Sequence, residues 1–190
     1  TSAGLTGSPV TFTATASAGG ATTIALTSGN GQSNAISTAL GAPFVVTVTD
    51  AGGNPVAGTS VTFAIASTPV GATGQSLSIL NATTIANGQA SSTLTLGNKV
   101  GTYTVTATSA GLTGSPVTFT ATATVGTATN IALTSGNSQT DTISNVLALP
   151  FVVTVTDAGG NPVAGRSVTF AIASTPVGAT GQSLSILNAT

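Results

Sequence analysis

The thirteen residues VTVTDAGGNPVAG, Val46–Gly58, return unchanged as Val153–Gly165. The first half alternates apolar Val with polar Thr, the period-two signature of a half-buried strand. The second half breaks it with Asp50, Gly52, Gly53, Asn54 and Pro55. Asp50 is placed to accept backbone amides two residues on, the glycines tolerate positive φ, and Pro55 sets the exit, so the stretch reads as a strand followed by an Asx-type turn.

Working outward, the copy extends in both directions. TSAGLTGSPVTFTATA begins at Thr1 and again at Thr108, and SVTFAIASTPVGATGQSLSILNAT begins at Ser60 and again at Ser167, all at one offset of 107 residues. About 13 of the 83 overlapping positions differ, so the two copies must share one fold. Solenoid units run about 20–50 residues. A period of 107 instead fits one small domain.

One period divides into seven strand-like segments, starting at Thr23, Pro43, Ser60, Leu77, Ala90, Thr102 and Pro116 and separated by Gly, Pro, Asn and Ser clusters. Their alternation predicts an inward set of Ile24 and Leu26, then Phe44, Val46 and Val48, then Val61, Phe63 and Ile65. Leu94 and Leu96, Tyr103, Val105 and Ala107, and Val117, Phe119 and Ala121 complete it. No segment holds a 3.6-residue period. The expectation is an all-β chain of tandem immunoglobulin-like β-sandwich domains, about seven strands each. Tyr103, the single tyrosine, opens the sixth strand, where a tyrosine corner would aim its hydroxyl at nearby backbone. The predicted organisation is a C-terminal strand remnant over 1–16, a complete domain over 17–123 and the first four strands of a second over 124–190. The sequence thus reads as a window on a longer array. The short TATVGTATN stretch from Thr122 predicts end-to-end domains with little swing.

Composition excludes much chemistry. Only Asp50, Lys99, Asp141, Asp157 and Arg166 are charged, and the net charge of -1 offers nothing to nucleic acid. Cys, Met, Trp and His are absent, which removes the thiol and imidazole as nucleophile, base or metal ligand. No catalytic constellation, cofactor site or metal site is predicted. One Asp per turn falls short of the six to eight oxygens calcium takes. Lys99, in LGNKVG, reads as an exposed turn, not as the buried partner of an isopeptide bond. No apolar run approaches the roughly 18 residues of a membrane span. Asn81-Ala-Thr83 and Asn188-Ala-Thr190 fit the N-glycosylation acceptor pattern, making a glycan a candidate modification. Outward rows of Thr104, Thr106 and Thr108 beside Thr118, Thr120 and Thr122 raise ice binding, although Thr is a common outward residue of strands.

VTVTDAGGNPVAGTSVTFAI from Val46, ANGQASSTLTL from Ala86 and GTYTVTAT from Gly101 together resemble the bacterial Ig-like domains of invasin- and intimin-type surface proteins. The resemblance implies a sandwich fold, an extracellular or cell-surface location and a spacer or adhesive role. A surface so poor in charge has little like-charge repulsion to keep copies apart. The sequence therefore points first to a self-associating extracellular filament, with the stalk of an outer-membrane adhesin, or a sugar- or protein-binding domain, as alternatives.

Overall fold

The computed structural model describes residues 3–190; Thr1 and Ser2, part of the 1–16 remnant, lie outside the described residues. Among the described residues every regular element is a strand. The first repeat holds β1 (Thr23–Ser28), β2 (Gln32–Ala35), β3 (Phe44–Thr49), β4 (Ser60–Ser67), β5 (Ser76–Leu77), β6 (Asn81–Thr83), β7 (Gln89–Ser92), β8 (Leu94–Thr95), β9 (Gly101–Thr108) and β10 (Val117–Thr124). The second holds β11 (Ala128–Ser135), β12 (Val152–Asp157), β13 (Val168–Thr169) and β14 (Asn188–Ala189). Residues 3–16 carry no strand, and β10 runs through Thr124, one residue past the predicted boundary.

The first repeat is a sandwich. A three-stranded sheet β1-β3-β7 faces a five-stranded sheet β2-β10-β9-β4-β6, with the short pair β5-β8 beside them. The pairings are antiparallel except β2 with β10. Alternation buries one side chain in two. Along β3, Phe44, Val46 and Val48 are inaccessible to solvent while Val45, Thr47 and Thr49 are half-exposed. Along β10, Val117, Phe119, Ala121 and Ala123 are buried and the four threonines between and after them are exposed. Val61, Phe63, Leu94, Leu96, Tyr103, Val105 and Ala107 complete the buried set, and Ile65 is half-buried against it. Phe44 and Phe119 join the sheets, their rings stacked with centroids 4.7 Å apart. Such a pair contributes about 0.5–1.5 kcal/mol beyond the area it buries.

Three local predictions are corrected, and one strand was not predicted. Leu26, read as inward, is exposed on edge strand β1, where the regular pairing with β3 ends. Of the strand predicted from Leu77 to Leu80 only Leu77 is paired, in β5, while Ile79 and Leu80 are exposed ahead of β6. The strand predicted from Ala90 is two pieces: β7 pairs with β3, while β8 pairs with β5. Buried Ser92 marks that change of sheet, its hydroxyl donating to the Ile79 carbonyl at 2.7 Å and accepting from the Ile79 amide at 3.1 Å. The unpredicted strand is β2, Gln32–Ala35, which has no alternating apolar pattern. Main-chain pairing to β10 and the Gln32 side chain hold it instead, the latter donating to the Gly29 and Ala42 carbonyls and accepting from the Ala42 amide.

In the second repeat β11 pairs with β12 as β1 does with β3. Phe151, the counterpart of Phe44, is 49% exposed.

Candidate functional site at the joint between the repeats

The turn that opened the sequence reading is repeated in three dimensions. Asp50 Oδ1 accepts the Gly52 amide at 2.9 Å and the Asn54 amide at 2.8 Å; Oδ2 accepts the Gly19 amide at 2.8 Å, and the Asn54 side-chain amide reaches both oxygens. Asp157 repeats the arrangement with Gly159, Asn161 and Gly126. Both carboxylates are saturated by N–H donors, which leaves no free oxygen to offer a cation. Among the described residues no cluster of acidic side chains could hold a metal ion.

Each carboxylate also ties down the linker that enters its own repeat, through Gly19 or Gly126. At Asp157 a third party joins. The loop before β9, Asn98–Val100, belongs to the first repeat and lies on the Asp157–Asn161 turn of the second. Lys99 Nζ donates to the Gly159 carbonyl at 2.6 Å. The Asn161 side-chain amide donates to the Asn98 carbonyl at 3.0 Å, and its oxygen accepts the Val100 amide at 3.3 Å. From behind, the Tyr103 hydroxyl donates to the Lys99 carbonyl at 2.9 Å. The buried tyrosine therefore fixes the loop that carries the lysine. Lys99 is half-buried at this joint, which corrects its reading as an exposed turn, and its ammonium bonds a main-chain carbonyl. The sequence missed the joint because it is built from turn residues of two repeats 60 residues apart, and periodicity carries no information about such pairs.

The contact leaves no room for a side chain at Gly159, where a Cβ would lie 1.9 Å from the Asn98 carbonyl oxygen. Asp157 is wholly buried and Asn161 nearly so.

The electrostatics follow from the bonding. The Asn54 side chain, then the Gly19 and Asn54 amides, lower the Asp50 pKa from 3.8 to about 2. At Asp157 burial pushes the other way, but the bonds from Gly126, Asn161 and Gly159 outweigh it and hold the carboxyl below its ordinary value. A carboxyl lowered on folding adds stability that is complete above its unfolded value and lost as pH falls through its folded value. Thermal unfolding should therefore be flat from about pH 8 to about pH 5, and the midpoint should fall as the pH drops from 3.8 towards about 2. Circular dichroism melts check this, and a midpoint that falls already between pH 7 and 5 would contradict it.

The remaining candidates lie away from the joint. Asn81 is exposed on edge strand β6, its side-chain oxygen accepting from the Thr62 hydroxyl, and Asn188 on β14 is held the same way by Thr169. The threonine rows are not an open array. Thr104 and Thr106 are half-buried, and Asn30 reaches over to accept from both the amide and the hydroxyl of Thr120.

No family model matches the chain. A curated relative does: the inverse autotransporter adhesin YeeJ of Escherichia coli (strain K12) is 37% identical over 146 residues, 70% of this chain. These repeats are bacterial Ig-like domains of the invasin/intimin type. That assignment places the Ig-like repeats at the cell surface or outside it. The chain spans 6% of the length of YeeJ. Among solved structures, the D0-D1 domain of intimin aligns over 78% of this chain and 71% of its own at 24% identity, with a TM-score of 0.43. Domains 1-6 of surface layer protein SbsC align over 78% and 18% at 24% identity, with a TM-score of 0.40.

Proposed function

We propose that these Ig-like repeats are non-enzymatic spacer units in the stalk of a surface adhesin, stacked end to end through the Asn98–Val100 loop and the Asp157–Asn161 turn. The observation that carries the reading is the joint itself. Three hydrogen bonds cross between repeats, and a carboxylate locks the linker on the far side. A hinge would leave these groups to water; a strut needs them paired. The inward register of Tyr103 and of the first repeat's core phenylalanines offers no aromatic patch to a sugar, which argues against a binding role for this repeat.

The likeness to an adhesin favours the stalk over the self-associating filament that the charge-poor surface first pointed to. The test is an in-frame deletion of one 107-residue period from the full reading frame. Cell-surface projections should shorten by one repeat while adhesion persists. Adhesion abolished at normal surface display would assign binding to the repeat. Purified chain that assembled into regular filaments would return the first reading.

A further inference from the structure

The first repeat carries a second copy of the turn that receives the Asn98–Val100 loop. Asp50–Asn54 and Asp157–Asn161 are the same five residues, DAGGN, with the same internal bonds. The linkers that feed them differ at three of four positions: Ser17, Ala18 and Gly20 stand against Thr124, Val125 and Thr127. The position kept is Gly19/Gly126, whose amide bonds the carboxylate. What separates the turns is occupancy. Asn161 is buried and uses its side chain in both directions on the neighbouring loop, whereas Asn54 is exposed and its side chain bonds only Asp50. Gly52 meets only Asp50 and Asn54 of its own turn, where Gly159 meets the neighbour's carbonyl.

We infer that the Asp50–Asn54 turn is a docking site for the Asn-Lys-Val loop of another repeat of this kind, with a lysine ammonium on the Gly52 carbonyl and a main-chain amide on the Asn54 side-chain oxygen. The inference rests on the stalk reading and names the partner of a second, open joint. The ligand chemistry is that of the occupied joint: one cation and one amide donor for two oxygens, and one carbonyl for the Asn54 side-chain amide.

The experiment lengthens the chain by one period, inserting a second copy of residues 17–123 ahead of Ser17. The resident residues alone are isotopically labelled. Hydrogen exchange of the Asn54 side-chain amide should slow at least tenfold against the 190-residue chain and approach that of Asn161. Changing the inserted Lys99 to alanine should remove part of that protection. Fast exchange at Asn54 in the lengthened chain, with Asn161 protected, would overturn the inference and leave the stalk reading intact. Fast exchange at Asn161 in both chains would overturn the joint and this inference together.

Discussion

Phe44→Ala will cost the first repeat about 3–5 kcal/mol. Phe44 is wholly buried in β3 and stacked 4.7 Å from Phe119 of the opposite sheet. Truncation removes the contact that spans both layers and leaves a cavity between two sheets that cannot collapse onto it without breaking register. Domains of this size have about 5–15 kcal/mol in total, so much of the margin is lost. No disulfide can offset the loss, since the chain has no cysteine. Urea unfolding followed by tyrosine fluorescence checks it, because Tyr103 is the only tyrosine and reports on this repeat alone. Val70→Ala, at a side chain 99% exposed, is the control and should shift stability by less than about 0.5 kcal/mol. Equal effects of the two substitutions would refute the sandwich core.

Gly159→Ala should open the joint while sparing the sandwich of the first repeat. The new methyl carbon would stand 1.9 Å from the Asn98 carbonyl oxygen, a main-chain atom that cannot swing away, and 2.8 Å from the Asn161 side-chain nitrogen. Neither a rotamer change nor a shift of a few tenths of an ångström relieves it. The loop must lift, and with it go the Lys99–Gly159 bond and both Asn161 bonds. NMR relaxation should then show the two repeats tumbling independently, where the parent chain tumbles as one. The urea midpoint reported by Tyr103 should move little, because its hydroxyl partner Lys99 belongs to the same repeat. Joint tumbling that persisted in the variant would show that the contact does not hold the repeats together.

The Ig-like sandwich was legible in the sequence because strand burial is a local, period-two property. Every side chain in the stretches around Phe44, Phe63, Tyr103 and Phe119 declares its face by its neighbours two residues away. The failures sit where that logic does not reach. Gln32–Ala35 forms a strand without a hydrophobic alternation, since its partner is main chain and its anchor is a glutamine. The stretch from Ala90 alternates without a break yet serves two sheets, and only the distant Ile79 main chain, bound to Ser92, marks the crossing. The Asp50 turn was legible as a turn, but its use as one face of a joint was not.

From residues alone come the repeat length, the all-β sandwich, the inward phenylalanines and the carboxylate-centred turn, because each depends on contacts within a strand or across a few turn residues. Tertiary structure alone decided that Lys99, Asn98 and Val100 of one repeat meet Gly159 and Asn161 of the next. Those groups are polar, few and far apart along the chain. Their pairing follows from where the folded first repeat brings its end against the Asp157 turn of the second, which no local pattern encodes.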